Sequence, residues 1–388
     1  MRILFISDAY IPVPTGVAVS VETLRISLEK LGSNVFIVAP KYPRWKKKER
    51  GVARLPGLFR PFEKYKASVW PVFGLDTKKL KEFKIDIIHS HFFFRPFNYP
   101  IELAKSLKIP LVNTFYRIFP EGERLTSSIK AIANRRASTS IRKMIDFSNQ
   151  SDLIIALSQA SKKYLSQFSI SPEIKVLPVG IFPKDYSSFP PEAIRRKFSI
   201  PQNRKIILYV GSADREGEIP FLIRSFKRVW KALDDVHLLI IGGGDKLKDY
   251  KIATSRLSIG KFITFTDYLP KKQVNKIYGV ADIFAYPGRL DPEPLVILES
   301  LAAGTPVVAV EGMGAQEFIK ENEDGFVTKP QIDDFSDALI DILKKDKMRL
   351  DFSLKARINA RQYRASILSR ELLDLYESQI TNYKNKFM

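Results

Sequence analysis

Asp291 and Glu299 bracket the segment Asp291-Pro-Glu-Pro-Leu-Val-Ile-Leu-Glu299, and Ser300-Leu-Ala-Ala-Gly-Thr-Pro-Val-Val308 follows directly. The small residues Ala302, Ala303 and Gly304 close a predicted helix before a strand that starts at Pro306. Amides at such a helix start, Val296 among them, can hold a diphosphate, and a carboxylate one or two turns on can accept hydrogen bonds from ribose hydroxyls. The same residues also suit a plainer arrangement, with Asp291 as helix cap and Glu299 in solvent.

Three further groups bear on chemistry. The loop Ser7-Asp-Ala-Tyr-Ile-Pro-Val-Pro-Thr-Gly-Val17 leaves a first apolar strand and opens a helix, the place where α/β folds bind anions. Gly16 lets a phosphate approach the backbone there, or simply marks a turn. The loop lacks the G-x-G-x-x-G fingerprint, so a nicotinamide cofactor is unsupported. Gly242-Gly-Gly-Asp245 follows another strand and reads either as a nucleotide approach or as an ordinary strand-to-helix turn. His89-Ser-His91 closes a strand over Ile85–His89; one of these histidines can polarise a sugar hydroxyl or phosphate oxygen, unless both are satisfied within the fold.

These groups need a scaffold, and the apolar patterning supplies one. Continuous apolar runs at Arg2–Ile6, Asn34–Ala39, Ile85–His89, Pro110–Thr114 and Leu153–Leu157 alternate with helical segments at Val17–Leu31 and Pro100–Leu107. A proline-rich stretch at Pro178–Pro191 reads as a connection between domains. A second series then runs through Lys205–Val210, Val236–Ile241, Phe262–Phe265, Ile283–Tyr286 and Pro306–Val310, and the chain is helical and amphipathic from Leu350. The pattern predicts an α/β protein of two Rossmann-like, doubly wound parallel-sheet domains facing a cleft, with a C-terminal helical segment. The expected spans are residues 1–183, 184–360 and a helix over 361–388 that packs back toward the first domain.

Composition narrows the function. The 388 residues contain no cysteine and three histidines, which excludes disulfides, thiolate metal sites and cysteine nucleophiles. The apolar run at the amino terminus breaks at Ser7-Asp8, far short of a signal-peptide core, and no stretch approaches the roughly 20 apolar residues that span a bilayer. A cytoplasmic protein is expected. Its formal charge of +21 implies an anionic partner: nucleic acid, anionic lipid or a phosphorylated substrate. Residues 41–66 carry ten basic and two acidic side chains, and residues 124–143 carry six basic and none acidic. Around Trp45, Lys46, Lys47, Lys48 and Arg50, cations interleave with aromatics (Phe59, Phe62, Tyr65, Trp70), which suits an anionic membrane surface as well as a solvated loop.

The whole text resembles the family 4 glycosyltransferases of the GT-B fold, particularly those that glucosylate diacylglycerol or mannosylate phosphoinositides. The opening strand with its glycine loop, Ile85-Asp-Ile-Ile-His-Ser-His91, Ile207-Leu-Tyr-Val-Gly211, Phe221-Leu-Ile-Arg-Ser-Phe226 and Asp291–Glu317 carry the resemblance, in order, over nearly the whole chain. It departs where members have an arginine and a lysine that grip the donor diphosphate: here Ser212 and Gly217 stand, with Arg215 the nearest cation. Asp291 replaces a glutamate unless Glu293 takes the role, Tyr116 replaces a histidine, and Gly288 a serine.

The resemblance implies hexose transfer from a nucleoside-diphosphate sugar, UDP-glucose first, to a lipid acceptor, with retention of configuration and without metal or other cofactor. It implies phosphate on amides near Gly16 and Val296 with Arg215 adding charge, ribose on Glu299, sugar hydroxyls on Asp291, and His91 on the donor sugar. The protein then sits peripherally on the inner face of the membrane. A GT-B-shaped binding or scaffold subunit and a basic nucleic-acid-binding protein are the competing expectations; no nucleic-acid motif supports the latter.

Overall fold

The computed structural model describes residues 1–42, 49–55, 58–59, 67–69, 82–91, 99–116, 139–186, 190–213 and 218–387. The chain forms two compact units, one of Met1–Gly180 with Ala365–Met388 and one of Ile181–Arg364.

The first unit is built on a parallel sheet. Its strands are β1 (Arg2–Ile6), β2 (Asn34–Pro40), β3 (Val52–Leu55), β6 (Ile87–Ser90), β7 (Leu111–Phe115), β8 (Leu153–Ala156) and β9 (Glu173–Val176), in the order β3-β2-β1-β6-β7-β8-β9. A short antiparallel pair, β4 (Leu58–Phe59) with β5 (Ala67–Val69), stands outside it. Ile3 to Ile6 are solvent-free, as a central strand covered on both faces requires. β1 pairs with β2 on one side and β6 on the other, so its carboxyl end is a topological switch point, where open α/β sheets receive ligands. β6 begins at Ile87, two residues later than its apolar run predicts. Asp86 is engaged just before it, accepting from the Arg2 backbone amide at 2.7 Å and from its guanidinium at 3.1 Å. His89 therefore lies inside the strand, and His91 follows its end.

The last helix, Ala365–Phe387, belongs to this unit and packs on the helix Gly16–Lys30. Leu368, Leu372 and Tyr376 recur every four residues on its buried face.

The second unit carries β10 (Lys205–Val210), β11 (Val236–Ile241), β12 (Ile263–Phe265), β13 (Ile283–Tyr286), β14 (Val307–Val310) and β15 (Gly325–Thr328), all parallel, in the order β12-β11-β10-β13-β14-β15. Here β10 occupies the switch point. The turns after β10 and β11 touch: Gly242 has φ +140°, and a β-carbon on it would overlap the Gly211 carbonyl oxygen. The helix Leu295–Ala303 ends on Gly304 in the left-handed conformation, the usual C-terminal cap.

Candidate functional site

In the second unit the helix Leu295–Ala303 follows β13 and presents the two acids very differently. Glu299 is 2% exposed, on the helix face opposite to what a solvated residue would take. Lys271, the first residue of the helix Lys271–Tyr278, forms an ion pair with its Oε1, while Oε2 is buried without a hydrogen-bond partner. The Lys271 ammonium also sits 5.9 Å from the Tyr186 ring centroid. Burial first, and the charge of Glu299 second, push the phenols of Tyr186 and Tyr278 well above their ordinary range. A buried carboxylate oxygen is costly to leave unpaired, and the Tyr186 and Tyr278 hydroxyls face this carboxylate, so its second oxygen can take a donor from them or from a ligand.

Asp291 does not cap the helix. The N-cap position is Pro294, without a side-chain cap bond, and Asp291 instead accepts from the Tyr286 hydroxyl at 2.5 Å. At Gly288 a β-carbon would come within 2.6 Å of the end of the Tyr286 ring, so a serine there requires that ring to shift. In the first helical turn the amides of Leu295 and Ile297 are turned back onto the carbonyls of Glu293 and Pro294. Val296 lies between them, one of the first-turn donors without an intrahelical acceptor.

In the first unit His89 and His91 are two apart along the chain, so both project from the same side, with ring centroids 4.2 Å apart. His89 is held by hydroxyls on both nitrogens, Nδ1 by Tyr376 at 2.5 Å and Nε2 by Thr114 at 2.6 Å. His91 Nδ1 meets the Tyr116 hydroxyl at 3.1 Å, and its Nε2 has no partner. Desolvation holds both imidazoles neutral, His89 well below the usual range and His91 at about 3. A neutral imidazole can exchange a hydrogen bond with a sugar hydroxyl without carrying charge.

Gly16 opens the helix Gly16–Lys30, capped by the Thr15 hydroxyl on the Ala18 amide at 3.3 Å. A β-carbon on Gly16 would meet nothing within 4 Å. Ser212 lies two residues past β10, after Gly211, whereas Arg215 and Gly217 lie outside the described residues, as do Trp45, Lys46, Lys47 and Lys48. Arg50 is described and exposed. Arg54, one of the ten basic residues of 41–66, is largely internal: it pairs with Glu49 at 2.6 Å, donates to the Ile11 carbonyl at 2.6 Å and lies over the Tyr10 ring. It has nothing to offer a membrane.

Comparison with known proteins fits this arrangement. Residues 14–184 match the profile described as Glycosyltransferase Family 4, and residues 191–359 match Glycosyl transferases group 1. The chain belongs to the GT-B glycosyltransferases of family 4 type. An alpha-monoglucosyldiacylglycerol synthase of Streptococcus pneumoniae is 29% identical over 80% of this chain and 71% of its own length. The protein of the same name from Acholeplasma laidlawii is 24% identical over 100% and 99%. A GDP-mannose-dependent alpha-(1-6)-phosphatidylinositol monomannoside mannosyltransferase of Mycolicibacterium smegmatis is 28% identical over 53% and 56%. Among solved structures, sucrose-phosphate synthase of Thermosynechococcus elongatus superposes with a TM-score of 0.78 at 18% identity, covering 98% of this chain and 100% of that one. HepE of Anabaena in complex with UDP-glucose gives 0.74 at 16%, covering 97% and 100%.

Sequence reasoning left several residues of this glycosyltransferase unassigned. Lys271 and Tyr186 surround Glu299, and Thr114 and Tyr376 fix His89. Tyr376 is 287 residues from its partner, and no local pattern signals such a pairing. A lysine at the first position of a helix looks solvated until the carboxylate beside it is known to be buried.

Proposed function

We propose that this glycosyltransferase moves a hexose from a nucleoside-diphosphate sugar, with UDP-glucose the first donor to test, onto a diacylglycerol-type lipid, with retention of configuration, at the inner membrane face. The observation that carries the donor side is the buried Glu299 carboxylate, whose Oε2 has no hydrogen bond and suits a ribose hydroxyl. The acceptor class is supported by the names of the relatives that align over 71% and 99% of their own lengths.

In the second unit Glu299 takes the ribose, Asp291 the sugar hydroxyls, and the Val296 amide a phosphate oxygen, with Arg215 adding charge. In the first unit the amides near Gly16 take phosphate and His91 takes a hydroxyl of the donor sugar. The bond from the anomeric carbon to the diphosphate breaks, the acceptor oxygen bonds on the same face, and its proton leaves with the diphosphate. No enzyme nucleophile is required; the protein positions both substrates and stabilises the leaving group. Residues 41–66 and 124–143 bring the protein to anionic lipid, each cation near the surface adding about 1 kcal/mol.

The decisive experiment incubates the protein with a panel of nucleotide sugars and a bacterial lipid extract, and follows the lipids by mass spectrometry. A hexose increment on a glycerolipid is expected. If no lipid gains mass and no nucleoside diphosphate binds, the chain is a binding subunit, the reading that Ser212 in place of an arginine favours. Ser212→Arg with Gly217→Lys raises donor affinity if Arg215 now does their work, and Arg215→Ala lowers it; titration calorimetry reads both. Changing Lys46, Lys47, Lys48 and Arg50 together to Ser weakens sedimentation with anionic vesicles and leaves neutral vesicles nearly unaffected. Salt-sensitive binding to DNA or RNA without lipid binding would assign the positive charge elsewhere.

A further inference from the structure

Eight large apolar side chains stand well exposed among the described residues, and three of them share one helix. Leu350, Leu354 and Ile358 are 60%, 66% and 60% exposed, spaced four apart along the helix Asp346–Ala360 in the second unit. Residues four apart lie above one another, so the three form one apolar stripe over two turns. The helix does not need them for its own packing. Its other face buries Phe352, Ala356 and Ala360, with Phe352 in the core of the unit, and Asn359 donates to the buried Asp324 carboxylate.

Charge surrounds the stripe in a consistent way. Lys347 lies three residues before Leu350 and Arg361 three after Ile358, both exposed and in none of the ion pairs among the described residues. That spacing places a free cation at each end of the apolar row. The two acids beside the row are both paired, Asp346 with Arg349 at 3.2 Å and Asp351 with Lys355 at 2.9 Å. From 344 to 361 the segment holds seven basic and two acidic residues.

We propose that this helix face lies on an anionic lipid surface, the three aliphatic side chains entering the headgroup region and Lys347 and Arg361 meeting lipid phosphates. An amphipathic helix with apolar residues on one side and cations beside them lies in the interface plane without crossing it. A second copy of the chain is the poorer occupant. A two-fold contact through this stripe would bring each copy's Lys347 and Arg361 against cations of a molecule that also carries +21. The helix packs on the helix Leu295–Ala303, but the stripe faces away from its buried side and lipid binding is read without donor or acceptor, so the proposal stands or falls apart from the transfer reaction.

The chain has no cysteine, so Leu354→Cys offers a single labelling position on the intact chain. An environment-sensitive fluorophore there is expected to shift to the blue with equimolar phosphatidylcholine–phosphatidylglycerol vesicles and not with phosphatidylcholine alone. Leu350→Ser, Leu354→Ser and Ile358→Ser together, all at exposed positions, are expected to weaken partitioning to the anionic vesicles about thirtyfold. Lys347→Glu with Arg361→Glu is expected to weaken it about tenfold at low salt and less at high salt. A label that does not shift while the protein sediments with vesicles would overturn the proposal and leave lipid contact to the first unit. A shift that grows with protein concentration in the absence of lipid would overturn it in favour of self-association, and a shift on adding an acidic protein but not vesicles would do so in favour of a protein partner.

Discussion

The two units bury ionisable groups at their candidate sites and treat them in opposite ways. In the first, His89 and His91 are neutral, and three of their four ring nitrogens meet hydroxyls of Thr114, Tyr116 and Tyr376. In the second, Glu299 is an acid whose one paired oxygen faces Lys271. Hydroxyls are enough for an imidazole because it can shed its proton and enter the core uncharged. A buried ionised carboxylate needs opposite charge, and the protein supplies it from a half-exposed side chain. Each site keeps one atom without a hydrogen bond, Nε2 of His91 and Oε2 of Glu299, the latter able only to accept one.

The contrast is tested most strongly by acid. Both histidines titrate lower in the folded chain than in the unfolded one, which therefore binds more protons below about pH 6.5. Stability of the first unit falls as pH drops, by about 1.4 kcal/mol per unit for each histidine until its folded value is reached. His91→Gln should reduce the steepness of that loss by one histidine's share, about 3 kcal/mol between pH 6.5 and 4, read by hydrogen exchange at the amides of β1, β6 and β7. Parallel curves for parent and variant would mean that His91 already carries its proton in the folded protein.

On the second side of the comparison, Glu299→Ala removes the proposed ribose acceptor and should weaken nucleoside-diphosphate binding by about 1–3 kcal/mol. Unchanged affinity in a folded variant would remove the assignment.

A smaller effect isolates the ion pair itself. Lys271→Met leaves Glu299 without its cation and should destabilise the second unit by about 1–2 kcal/mol, reduced from the cost of breaking a fully buried pair because the ammonium is half exposed. Adding Glu299→Gln should restore most of that loss, since no charge then remains to neutralise. Losses that add, measured by denaturant unfolding of both single variants and the double, would show that the two side chains are not coupled.

Local sequence carries some of this and not the rest. The inner strands came from continuous apolar runs, because a parallel strand covered on both faces has few other compositions available, and Arg2–Ile6 and Lys205–Val210 begin and end where their runs do; the edge strands β3, β9 and β15 and the pair β4–β5 carry no such run and are not legible in this way. The glycine-closed helix from Leu295 is legible for the same reason, with Gly304 at its left-handed cap. Pairings across the fold are not. Arg54 counted as one more surface cation until β3 placed it against Glu49 and the Ile11 carbonyl. Lys271 became part of the site through Glu299, 28 residues later. The apolar stripe on the helix Asp346–Ala360 is visible as periodicity in sequence, but only packing decides which of its two apolar faces is buried.

The smallest expected change in stability tests the glycine loops. Gly242 is required by the fold itself, since its φ is +140° and any β-carbon would overlap Gly211. Gly16 has no such demand placed on it: it is absent from the positive-φ glycines and its β-carbon position is empty to 4 Å. Gly16→Ala at the first position of a helix should therefore leave stability within about 0.5 kcal/mol of the parent, or raise it slightly, because alanine loses less backbone freedom on folding. If a phosphate approaches this backbone, the added methyl occupies its path, and transfer from the nucleotide sugar should fall while the melting temperature holds. The two measurements separate the explanations for the residue: a stable, inactive variant assigns Gly16 to ligand approach, and a stable, fully active one makes it a turn residue and moves the phosphate elsewhere.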